Sequence, residues 1–239
     1  MIVVPADSSL LLVTQTDHAH FSGELLSLWR AGGLPAHPRR EDLLFAAREH
    51  DNGWREADAA PRWNGGRGLP HDFISLSTPE RIEIWERGTC RFVHERPYAS
   101  LLIARHALNL FRGRRNDRAD EEWAPFIAFL DDLEGSLLEE TGVPREELEA
   151  DYRLIDLADL ISLAACNRWR EPAERYGQRV EPGDGEVRLD PFPLAGATTF
   201  RVPCRRIPRR DYRGDADLGG ELASARWGEL SVRVVPGRS

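Results

Sequence analysis

The stretch RLIDLADLISLAACNRW, Arg153–Trp169, decides how the fold is read. From Leu154 to Cys166 it is apolar nearly all the way round, so a helix built from it is buried on most faces. That places it at the centre of a mainly α domain. Asp156 and Asp159 are its only charges. A lone buried carboxylate is costly and tends to neutralise, so Asp159 needs a cation. A metal ion would serve, and so would an arginine such as Arg105. Ile155, Asp159, Ser162 and Cys166 share one stripe of the helix, with Asp156 a turn away.

Working outward, Pro97 to Arg112 reads as a strongly apolar helix, whose stretch from Leu101 to Phe111 is polar only at Arg105, His106 and Asn109. A single histidine in such a place is commonly a hydrogen-bonded core residue. Pro38 to Asp51 forms a helix ending in LLFAAREHD. Taken alone, His50 there caps the helix C-terminus and Asp51 opens the next turn. HAHFSGELLSLWRAGG, from His18, predicts a helix capped at Thr16-Asp17 and stopped by Gly32-Gly33. His18 and His20 cannot share a face of it. Further helices are predicted over 79–94 and 117–140, and Pro144 starts the last one, which runs to Trp169.

Residues 1–15 read as a β-hairpin, with Pro5 to Ser9 as its turn. Beyond Arg170, prolines and glycines punctuate short alternating runs, EVRLD, TTFRVPCRRI, ELASARW and ELSVRVV, which predict strands sharing a sheet with the hairpin. The expected architecture is an α-helical bundle with a small antiparallel β appendage. Its parts are a hairpin over 1–15, a helical domain over 16–170 and a β-rich extension over 171–239. Between the helices, 52–79 is a long loop rich in Gly, Pro and Trp. Loops of this length in compact domains are often binding segments or lids.

Composition narrows the function classes. The 239 residues carry 32 basic and 40 acidic side chains, a net charge of −8. This argues against general nucleic-acid or anionic-membrane binding, while a local basic patch can still hold a small phosphate. None of the basic residues is lysine, which excludes Schiff-base and Walker-lysine chemistry and points to a GC-rich bacterial coding bias. Three widely spaced cysteines, Cys90, Cys166 and Cys204, form no zinc-ribbon or disulfide framework and fit a cytoplasmic setting. No signal peptide or membrane span is expected. Oligomeric state is left open, a homodimer included.

His18, His50-Asp51, His106 and Asp159 therefore follow one another along successive helices. Each alone is a weak signal. Together they form a mixed N/O set suited to one or two divalent Fe, Mn, Zn, Co or Ni ions. His37, His71 and His94 read as surface residues. Arg62 and Arg67 in the loop could hold substrate oxygens. Trp54, Trp63 and Trp85 either pack the loop down or stack on a ring of the substrate, with Trp54 and Trp85 the candidates for contact.

In this order the residues resemble the HD-domain superfamily of metal-dependent phosphohydrolases. TQTDHAHFSGEL, REHDNGW, RHALNLF and DLADLISLAAC resemble, more closely, the blocks of an uncharacterised bacterial family of HD-like proteins. The resemblance implies a metal held by His18, His50, Asp51 and Asp159. It makes His106 a ligand to a second metal or a phosphate contact, and Asp51 also an aid in orienting water. The doublet departs from many HD enzymes in being followed by Asn52-Gly53-Trp54. The expected function is hydrolysis of a small phosphorylated metabolite or nucleotide. The alternatives are a di-iron oxygenase on the same ligands and a non-catalytic small-ligand binder. In the last, the ligand set would be incomplete, with Asp159 bridged to Arg105.

Overall fold

A computed structural model describes residues 1–112 and 120–238. The first three residues of the helix expected over 117–140 lie outside the described residues, as does residue 239.

The chain begins with the expected hairpin, β1 (Ile2–Ala6) and β2 (Ser9–Val13), followed by α1 (Gln15–Ser27) and α2 (Arg40–Glu49). Thr14 rather than Thr16 caps α1, its hydroxyl accepting from the Asp17 amide. The 52–79 segment is more ordered than a bare loop. It holds a 3-10 turn over Asn52–Trp54, the short helix α3 (Arg55–Ala59) and the two-stranded ribbon β3 (Trp63–Asn64) and β4 (Leu69–Pro70). Four helices follow: α4 (Thr78–Cys90), α5 (Pro97–Arg112), α6 (Asp120–Thr141) and α7 (Arg145–Cys166). The rest comprises β5 (Ala173–Arg175), β6 (Gln178–Pro182), β7 (Glu186–Asp190), β8 (Thr198–Pro208), α8 (Asp215–Ser224) and β9 (Trp227–Pro236).

The expectation of a mainly α bundle with a small β appendage is overturned. Half of the chain is helical and 22% is strand. The hairpin and tail build one seven-stranded sheet in the order β1-β2-β8-β9-β7-β6-β5. It is not purely antiparallel, because β7 pairs with β9 in parallel. The hairpin does join the tail, through β2 and β8, with Leu10 opposite Ile207.

The sheet is a wall of the main core. Phe200, Val202 and Cys204 of β8 and Val232 and Val234 of β9 share one buried cluster with Phe21, Leu25, Ile155 and Ile161 of the helices. Phe21 and Phe200 meet with ring centroids 5.0 Å apart. This explains the all-round apolarity of Leu154–Cys166. Helix α7 packs against α1, α2 and α5 on one side and against β6 and β7 on the other. A sheet covers part of its surface, where the sequence reading supplied only helices.

The other face of β2 and β8 is also covered. Leu10, Leu12 and Ile207 pack with Leu218 and Leu222 of α8. That helix corrects the expectation of a strand at ELASARW. Leu218 and Leu222 are one helical turn apart, and Asp215 and Asp217 lie favourably at its N-terminus. Gly219 and Gly220 weaken the helical signal in between. Among the described residues, no helix is long and apolar enough to cross a membrane.

Candidate metal centre

The packing of α1, α2, α5 and α7 brings the five expected residues together. His18 lies in the first turns of α1, and His50 is the C-cap of α2. Asp51 follows at the start of the 3-10 turn, His106 comes from mid-α5, and Asp159 from mid-α7. All are buried, none more than 5% exposed. Their ligand atoms form two groups, His18–His50–Asp51 and His50–His106–Asp159, with the atoms of each within 4.8 Å of one another. The rings of His18 and His50 are 5.1 Å apart, and those of His50 and His106 4.9 Å.

The outer hydrogen bonds set which ring nitrogens face inward. His50 is both a cap and a member of the cluster. Its Nδ1–H donates to the Ala47 carbonyl at 2.8 Å. Its Nε2 therefore faces the centre, 3.2 Å from Asp159 Oδ1 and 3.7 Å from Asp51 Oδ2, with no aligned hydrogen bond. The Ser162 hydroxyl donates to the Asp159 carbonyl at 2.9 Å, so its oxygen is free to accept from His18 Nδ1 at 2.8 Å. His18 Nε2 then points at Asp51 Oδ2, 2.8 Å away. Tyr152 Oη lies 3.3 Å from Asp156 Oδ1, to which it donates, and 3.4 Å from His106 Nδ1. Arg175 holds Asp156 at 2.6 Å. The tyrosine can thus accept from His106 Nδ1–H and leave Nε2 on the inner side, 4.0 Å from Asp159 Oδ2. Imidazoles that donate one ring N–H outward and present the other nitrogen inward have the arrangement of metal-ligating histidines.

The charges agree. Burial raises the Asp159 pKa, but His50, His106 and His18 more than offset it and hold the carboxyl well below its usual range. Asp51 behaves alike: burial raises it, and His50 and His18 bring it below normal. Burial keeps His106 neutral, its pKa below the ordinary imidazole value despite Asp159. Burial also disfavours the His50 cation, yet Asp51 and Asp159 push its pKa up to about 9. Two buried carboxylates thus face inward imidazole nitrogens, and each such contact needs a cation, either a proton or a metal ion. A divalent ion fits this donor set.

Arg105 does not neutralise Asp159. It pairs with Glu134 and Glu149. The loop arginines are also engaged elsewhere. Arg62 pairs with Glu80 and lines a separate cavity walled by acidic residues, and Arg67 pairs with Asp72 at 3.3 Å. The cavity that reaches Asp51, His106 and Asp159 is lined by Trp54 and Trp85, together with Gln15 and Arg81. The sequence reading missed both of the latter. Gln15 donates to Asp51 Oδ2 at 3.0 Å while its amide oxygen is buried without a partner. Its place three residues before His18, just after the cap, was the available signal. Trp63 packs on Tyr212 at the far side of the sheet, away from this cavity.

The fold and the cluster define a helix-and-sheet protein with a buried His/Asp centre. Residues 1–209 match the family described as "Protein of unknown function (DUF3891)", and the chain belongs to that family. No curated protein and no solved structure matches the chain.

Proposed function

We propose that the protein is a metal-dependent phosphohydrolase acting on a small phosphorylated metabolite or nucleotide. The observation that carries this is the convergence of five buried His and Asp side chains with inward imidazole nitrogens, three of the five residues, Asp51, His106 and Asp159, lining one cavity. His18, His50, Asp51 and Asp159 would hold the ion, and His106 would hold a second ion or contact phosphate. When bound, such an ion activates water and polarises a phosphoryl oxygen. Asp51 lines the cavity and is held by His18 and Gln15, so it can fix the orientation of a water molecule there. Trp85 and Phe111 exclude bulk water from one side.

The order His18, His50-Asp51, His106, Asp159 resembles that of HD-domain phosphohydrolases and supports the same reading, although the sheet sets this chain apart. A di-iron oxygenase calls for a carboxylate shared by both ions. An imidazole nitrogen binds one ion, so Asp51 or Asp159 would have to supply that bridge, and iron content with O2-dependent turnover is the outcome that would favour the oxygenase. The completeness of the set, with Arg105 engaged elsewhere, speaks against a non-catalytic binder. The test is phosphate release from a panel of phosphomonoesters and nucleotides, with each candidate metal and after chelation. Metal-dependent release that His50→Ala and Asp159→Ala abolish is expected. Release that survives either substitution would refute the assignment.

A further inference from the structure

Resting on the hydrolase reading, we infer that the substrate is a compact phosphomonoester whose organic part is apolar or aromatic, rather than a nucleotide. The cavity over the cluster has a volume of about 80 Å³, far below the roughly 300–1,000 Å³ of pockets that take drug-sized ligands. A phosphoryl group fills that space, and the organic part lies at its mouth, against the apolar side chains of the wall.

The lining points the same way. Asp51, His106 and Asp159 form the floor. Above them the walls are carbon: Trp85, Phe111, Phe73, Leu110 and Leu163. Trp85 and Phe111 are fixed edge to face, with centroids 5.7 Å apart. Ribose hydroxyls placed against this wall would lose water without gaining partners, which is costly. Among the lining residues, only Gln15 Oε1 and Trp54 Nε1 are buried polar atoms without a partner. They can match one small polar substituent. Among the described residues, Arg81 is the one guanidinium on the lining. It stacks over Trp123 and donates to the Ile74 carbonyl at the rim.

The test uses the full chain loaded with Mn²⁺, with binding measured by calorimetry for three probes: inorganic phosphate, phenylphosphonate (which resists hydrolysis) and AMP. Phenylphosphonate is expected to bind at least about tenfold tighter than phosphate, the gain from burying its ring, and tighter than AMP. Trp85→Ala should remove most of that preference. Because Trp85 is buried, Ile74→Ala serves as the second variant. Ile74 is 59% exposed at the rim, so its loss leaves the core intact. It should lower phenylphosphonate affinity and leave phosphate unchanged. AMP binding as tightly as phenylphosphonate, or phenylphosphonate no tighter than phosphate, would overturn this inference while the metal site stands. Failure to bind any of the five candidate metals, Mn²⁺ included, would overturn the hydrolase reading and this inference together.

Discussion

Gly53→Ala tests how the fold sets the candidate site. Gly53 sits in the 3-10 turn between Asp51 and Trp54, pressed against α4 at Gly88. A Cβ on Gly53 would lie 2.1 Å from the Ile84 carbonyl oxygen and 3.0 Å from the Gly88 backbone. Carbon–oxygen contacts sit near ~3.3–3.6 Å, so the turn and helix must part by more than about 1 Å. The Ile84 carbonyl is helix backbone and cannot yield. The side chain of Asn52, which ties the turn to Glu49 and Gly88 through their carbonyls, would be pulled away as well. This overpacking should cost about 3 kcal/mol, the upper end of the usual range. It should also shift Asp51 and weaken metal binding by at least about tenfold. Gly135→Ala is the control. Nothing lies within 4 Å of its added Cβ, and the site is an exposed helix interior, so it should stabilise by about 1 kcal/mol. Urea unfolding of both variants decides the matter. Gly53→Ala as stable as wild type, or Gly135→Ala the more damaging of the two, would refute the reasoning.

Four further outcomes follow from the same geometry. Tyr152→Phe removes the acceptor for His106 Nδ1–H with little change in volume, and should weaken metal binding by about 10–100-fold. Titration against a competing chelator reads this, with melting temperature as the check on folding. Metal must displace the His50 proton, so affinity should rise with pH and level off above about 9, the pKa of His50. In the metal-free protein the sign reverses. The raised His50 pKa contributes stability that is full below the unfolded value near 6.5 and is lost as pH climbs through about 9. Melts in chelator across that window check it. Thr14→Ala removes the N-cap of the helix bearing His18 and should cost about 1 kcal/mol, read by urea unfolding.

The candidate site was more legible in the sequence than the fold. His18, His50, Asp51, His106 and Asp159 lie near helix ends or on apolar stripes, where a polar residue stands out against its neighbours, and the structure gathers them. The pairing of the hairpin with the tail was also readable, from the strand-length apolar run SLLLV and the alternation in TTFRVPCRRI. The extent of the sheet was not. Leu10 to Val13 is apolar at every position because α8 covers one face and the main core the other, and local pattern does not reveal a partner two hundred residues away. The same ambiguity misled the reading of α7, since a helix against a sheet and a helix among helices have the same apolar girdle. Arg62 and Arg67 were plausible phosphate contacts by composition. Their pairing with Glu80 and Asp72 depends on how the 52–79 segment folds back, which short-range pattern does not report.

Everything proposed for this protein depends on the five-residue cluster being a metal centre. The most direct test is elemental analysis of the purified full chain, as isolated and after reconstitution, beside His50→Ala and Asp159→Ala confirmed as folded. Near-stoichiometric transition metal is expected in the wild-type protein, and its loss in both variants. Wild-type protein that holds no metal and takes up none on reconstitution would contradict it.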